Sequence, residues 1–209
     1  MLPNRTLAVL SALLILGTAA SPLEADEKGA GPPVPKEVRA IAGTYTGSWA
    51  LFGIDDKGGV VKKAAWTDTV TAADPQVKGD RAFVTMTDEM VFEGGAGKFK
   101  MQGTEGYFLK KDGSLGEYFI ETFGQLKRMV KVGDNVRSYA APADARELGQ
   151  LGFPKDASAT HVLVKVVTNE DGVETHRISR VTTATWKDKD GKERTLQFVS
   201  LQGFHKRQP

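Results

Sequence analysis

The chain contains no cysteine. No disulfide, thiolate nucleophile or thiolate-metal bond can therefore form, and a lipid anchor on a cysteine behind the N-terminal leader is excluded. Histidine is scarce, with three copies in 209 residues. All three, His161, His176 and His205, fall in the last third of the chain, so a zinc centre, which needs three convergent protein ligands, is not expected. Neither sign of charge dominates: 28 Lys and Arg stand against 26 Asp and Glu, a formal net charge of +2. That balance calls for neither nucleic acid nor an anionic membrane as partner. Nucleophile elbows, phosphate loops and H-E-x-x-H arrangements are missing as well.

Long apolar runs are nearly absent, and the exception is informative. Residues 1–20, MLPNRTLAVLSALLILGTAA, carry one cation at Arg5, an apolar core from Leu7 to Leu16, and small residues at Thr18, Ala19 and Ala20. A membrane-spanning helix needs about 20 apolar residues, whereas a short apolar core followed by small residues reads as a secretory signal peptide cleaved after Ala20. The expectation is an exported protein, periplasmic or secreted, with no transmembrane segment after cleavage. Residues 21–35 are small and polar and end in GAGPPVP, where proline removes backbone donors, which predicts a flexible leader. Residues 36–209 then form one domain.

Beyond Gly43 the pattern is two-residue alternation of apolar and polar side chains, broken by DDKGG, KKDGS, GDN, NEDG and DKDG. Such breaks supply positive φ for hairpin loops. The segments between them, such as RAFVTMTDEMVF and THVLVKVV, are rich in β-branched and aromatic residues. About nine or ten strands joined by short loops make an antiparallel meander, and a meander of that length leaves exposed edges unless it closes. The predicted fold is all-β: an up-and-down antiparallel β-barrel, in preference to a Greek-key sandwich with its longer connections. KEVRAIA, after Pro35, suits a helical turn or two. One short helix interrupts the strands in PADARELGQLGFP, residues 142–154, with Asp144 and Glu147 at capping-box spacing and Gly152 and Pro154 as stop signals. It is expected to plug one end of the barrel.

Alternation also nominates the interior. In GTYTGSWALFG, residues 43–53, the face Tyr45, Gly47, Trp49, Leu51, Gly53 points inward, with Trp49 closing one end. In KFKMQGTEGYF the inner face Phe99, Met101, Gly103, Glu105, Tyr107 carries a carboxylate, which must be paired or neutralised when buried. Asp68 sits ambiguously in a similar series. If NEDG closes as a three-residue turn with a bulge at Gly172, Asn169 pairs with Val173 and Val166 stands opposite His176. That register places Val162, Val164 and Val166 in the core and turns His176 and Arg180 inward, as a cationic patch that can pair with Glu105 or hold a ligand carboxylate. His205, near the C-terminus, is expected to be exposed. The candidate ligand-binding residues are Trp49, Glu105, Tyr107, His176 and Arg180.

The G-x-W of Gly47, Ser48 and Trp49, on a first strand preceded by a short helix, resembles the calycin pattern of lipocalins. EVRAIAGTYTGSW is also similar to the opening of nitrobindin-type barrels. The resemblance implies an interior pocket for a small hydrophobic or amphipathic molecule, and its nitrobindin branch implies a haem held by a single histidine. Without haem, no cofactor is expected. The leading function is therefore an exported small-molecule binder. The alternatives are a cofactor-independent isomerase or cyclase using Glu105 or His176 as acid or base, and a structural envelope module with a filled core.

Overall fold

The computed structural model describes residues 32–209 apart from Ala96 and Phe123. The expected signal peptide and leader fall outside the described residues, except for the leader's last four positions. Ten strands follow a short helix, α1 (Lys36–Ile41): β1 (Gly43–Ile54), β2 (Val60–Lys78), β3 (Arg81–Phe92), β4 (Lys98–Leu109), β5 (Leu115–Thr122), β6 (Gln125–Gly133), β7 (Val136–Pro142), β8 (Ser158–Glu170), β9 (Val173–Lys187) and β10 (Glu193–Arg207). A second helix, α2 (Ala145–Gln150), lies between β7 and β8. Each strand pairs antiparallel with its sequence neighbour, and β1 pairs with β10, from Tyr45 opposite Arg207 to Leu51 opposite Leu201. The expected up-and-down barrel is thus present and closed. Closure satisfies the backbone groups that an open meander would leave bare at both edges.

Two apolar clusters sit at opposite ends of the interior. At the end where β1 begins, Val38 of α1 packs with Tyr45, Val70, Ala72, Ala82 and Val84. Val34 and Ile41 pack against the same cluster, so the last leader residues belong to the fold. At the other end Leu148, Leu151 and Phe153 from and beyond α2 pack with Ile54, Ala184 and Phe198. The capping box forms as its spacing predicts: Glu147 N–H donates to Asp144 Oδ1 at 2.7 Å and Asp144 N–H to Glu147 Oε2 at 3.1 Å. The backbone N–H of Ile54 donates to Leu151 O at 2.7 Å, tying α2 to β1. Helices therefore close both ends. Trp49 closes neither; it is half-buried along β1 opposite Gly203.

The β8–β9 hairpin departs from the expected register. Asp171 and Gly172 both take positive φ, 54° and 82°, so the loop is a two-residue turn and Glu170, not Asn169, pairs with Val173. Val167 then stands opposite His176, and Val162 is exposed. The slip of one residue turns β8 over. His161, Leu163, Lys165 and Val167 replace the valines on the inner face, while His176 and Arg180 on β9 keep theirs.

Candidate ligand cavity

A cavity of about 130 Å³ occupies the half of the barrel nearer α1. Its walls are mainly Val70, Ala72, Met86, Met101, Ile120 and Ile178, with Ile41 and Tyr45 at the α1 end. Five ionisable side chains interrupt this lining: Asp88, Glu105, Lys165, His176 and His205.

Glu105 is buried and paired, as its burial requires, but with Lys165 and not with His176 or Arg180. Lys165 Nζ lies 2.6 Å from Glu105 Oε1 and also donates to Tyr118 Oη at 2.9 Å. Both charges are desolvated, so the short ion pair with its extra hydroxyl contact is what makes their burial tolerable. Tyr107 meets Tyr118 edge to face and accepts from Arg137 Nη2 at 2.8 Å. It supports the pair from behind and does not line the cavity.

A second polar group joins β1, β2 and β10. Asp68 Oδ2 accepts from Trp49 Nε1 at 2.7 Å and from His205 Nε2 at 2.9 Å. Gly47 makes this approach possible: a Cβ there would fall on the Phe204 carbonyl oxygen and the His205 ring. His205 is consequently an interior residue, contrary to the sequence expectation, because the β-bulge between Val199 and Leu201 shifts the inward phase of β10 by one residue and brings Gly203 and His205 inside.

Asp88 on β3 faces Val70 and Met101 across its two strand neighbours and is a diagonal neighbour of Asp68. Its Oδ1 is buried without a hydrogen-bond partner. Burial, and then the charge of Asp68, push its carboxyl up to about 7, against a smaller opposing effect of His205. Burial and the positive charge of Lys165 push the His176 imidazole down to about 3. His176 is therefore neutral, and its Nε2 must donate the 2.9 Å bond to Glu174 Oε1, since a carboxylate only accepts. Tyr45, whose Oη donates to Ile41 O at 3.0 Å, is raised to about 12 by burial and by Glu174.

Arg180 belongs elsewhere. Its Nε donates to Ser200 Oγ at 2.9 Å and its Nη1 lies 3.4 Å from Glu147 Oε1, beneath α2. Thr182 Oγ1 donates to Ser200 Oγ at 2.6 Å and so accepts from His161 Nδ1 at 2.8 Å. His161 Nε2 stands 3.5 Å from Glu147 Oε2 and answers that carboxylate only when the ring is protonated, since the neutral ring carries its proton on Nδ1. The proposed cationic patch of His176 and Arg180 is thus divided between the two halves of the barrel, and neither member pairs with Glu105.

Of the five nominated residues, Glu105 and His176 line one cavity, Trp49 and Tyr107 brace its polar groups, and Arg180 serves the α2 end. Asp88, Lys165 and His205 were missed. Asp88 carries the same signal as Glu105, a carboxylate on the inner face Ala82, Val84, Met86, Asp88, Met90. Lys165 was hidden by the register. The chain matches no protein-family model, no curated protein and no solved structure. No helix among the described residues is long and apolar enough to cross a membrane.

Proposed function

We propose that this protein is an exported barrel that binds one compact amphipathic molecule in the cavity beside α1. The observation that carries this reading is a largely apolar cavity of about 130 Å³ into which unlike polar groups converge from β3, β4, β8, β9 and β10. An apolar protein cavity of roughly 150 Å³ accommodates benzene, so the ligand is of single-ring size, and this volume favours it over a haem on His176. The calycin-like layout agrees with interior binding, and the leader sequence with export. Native mass spectrometry of the protein isolated from its own compartment tests the reading. The wild type is expected to carry a stoichiometric small mass that Ala72→Leu, which fills the cavity, loses. An unliganded wild type that is also not stabilised by any of a panel of single-ring compounds overturns it.

One observation supports an isomerase as the second reading. An acid titrating near 7, Asp88, and a neutral imidazole, His176, face the same space, as an acid-base pair requires. Deuterium exchange at the α-carbon of small cyclic ketones, catalysed by the wild type and lost in Asp88→Asn, is the expected signature. Exchange no faster than buffer excludes it.

A further inference from the structure

Two carboxyl groups line the cavity, Glu105 and Asp88, with Asp68 beside Asp88 but outside the lining, and the protein answers the three unequally. Glu105 has Lys165 at 2.6 Å, and Asp68 has His205 and Trp49 on Oδ2. Asp88 has neither an ion pair nor a hydrogen bond among the described residues, and Asp68 Oδ1 and Asp88 Oδ1 are two of the three buried side-chain atoms there that lack a partner. Both orphans are acceptors on diagonal neighbours. The other titratable groups near this space are His176 on β9, which is neutral, Tyr45 on β1, whose single O–H is shared between Ile41 O and Glu174 Oε1, and Lys127 on β6, which reaches the lining only through Thr122 Oγ1 at 3.4 Å. With Asp88 ionised the site is short of positive charge and of donors together; protonated, Asp88 supplies one donor of its own.

An ammonium group supplies both, with three N–H donors on one positive charge. The rest of the lining narrows the cation further. Valine, alanine, isoleucine and methionine provide no oxygen ligands, Thr122 adds one hydroxyl that already accepts from Lys127 Nζ at 3.4 Å, and no group of three or more His, Asp or Glu among the described residues is arranged for a metal ion. The same apolar walls suit the hydrocarbon part of an amine. We infer that the cavity selects a small organic ammonium ion, with the Asp88 carboxylate as its counter-ion. This inference rests on the cavity being the ligand site.

Binding then displaces the proton that burial keeps on Asp88, so affinity rises with pH until Asp88 is ionised in the free protein. A neutral ligand that accepts a hydrogen bond from the protonated carboxyl behaves in the opposite way. Calorimetric titration of the intact protein with cyclohexylamine, charged throughout the range, and with its neutral analogue cyclohexanol separates the two. Between about pH 5 and about pH 7 cyclohexylamine is expected to gain roughly fiftyfold in affinity, and cyclohexanol none. Asp88→Asn should weaken the amine at least about tenfold and leave the alcohol unchanged, which also shows that the variant keeps its cavity. Equal or tighter binding of the alcohol, amine affinity that grows as pH falls, or an Asp88→Asn protein that binds the amine normally overturns the inference and leaves the cavity standing as a binding site. Binding of neither probe overturns both.

Discussion

Residues inside this barrel differ chiefly in whether their charge is answered. Lys165 and Glu105 answer each other, and removing one strands the other in the core. Lys165→Met and Glu105→Gln are each expected to lower unfolding free energy by about 3–5 kcal/mol, while the double replacement Glu105→Leu with Lys165→Met recovers most of the loss. Urea denaturation of the three variants measures this, and additive losses in the double variant would show that the pair is not coupled. Asp88 has the opposite character. Its folded value, about 7, lies above the ordinary carboxylate value of 3.8, so the folded state holds the proton more tightly than the unfolded chain. The stability this gives is complete below about pH 4 and is lost as pH rises to about 7. Asp88→Asn should remove that decline and leave the variant more stable than wild type at about pH 8, as thermal melts across the range will show. The carboxylates were legible as polar intruders in an alternating pattern. Their partners were not, because pairing across a barrel depends on which strands face each other.

At the scale of elements, the turn between β8 and β9 decided more than any other feature. NEDG admits both a three-residue loop with a bulge and a two-residue Asp-Gly turn, and the second, with both residues at positive φ, matches the strand twist better. That choice moved Lys165 and His161 indoors and Val162 out. Helix α2 was the most legible element, since Asp144, Glu147, Gly152 and Pro154 spell its start and stop locally. What could not be read is the second task of Glu147, which also faces His161 and Arg180 at 3.5 and 3.4 Å. The His161 imidazole first, then the Asp144 backbone N–H and Arg180, hold the Glu147 carboxyl down at about 2 against the effect of burial. Because this value is depressed below the ordinary 4.5, the stabilisation is present above about pH 4.5 and disappears as pH falls towards about 2. Glu147→Ala should abolish that acid-sensitive part and lose the reciprocal bond of the capping box, Asp144 N–H to Glu147 Oε2, while the bond from residue 147 N–H to Asp144 Oδ1 remains. Hydrogen exchange of the α2 amides should accelerate accordingly, with little change in β3 and β4; unchanged α2 exchange would refute the tether.

For the whole molecule, closure is the governing fact. The β1–β10 seam joins the first strand to the last, so every strand has two neighbours and none presents a free edge. Removal of residues 193–209 deletes β10, bares β1 and β9 together, and takes His205 and Ser200 out of the interior. Such a truncation is expected to aggregate or to form intermolecular sheet rather than a smaller stable barrel. Sedimentation velocity and an infrared band for intermolecular β-structure would report it, and a soluble, cooperatively melting monomer would contradict it. The seam pairs strands from opposite ends of the domain, from Tyr45 with Arg207 to Leu51 with Leu201, which makes it the feature that local pattern predicts least directly.

By itself the sequence determined the all-β class, the approximate number of strands, the meander order and the position of α2, because each follows from local periodicity, turn chemistry and capping within a few residues. It also determined that buried carboxylates would stand among apolar neighbours. Only the tertiary structure decided that Lys165 answers Glu105, that His205 reaches Asp68, that Arg180 lies at the far end from His176, and that Asp88 is left without a partner. Those outcomes depend on register and curvature summed around ten strands, and a shift of one residue at a single turn exchanges the inside of a strand for its outside.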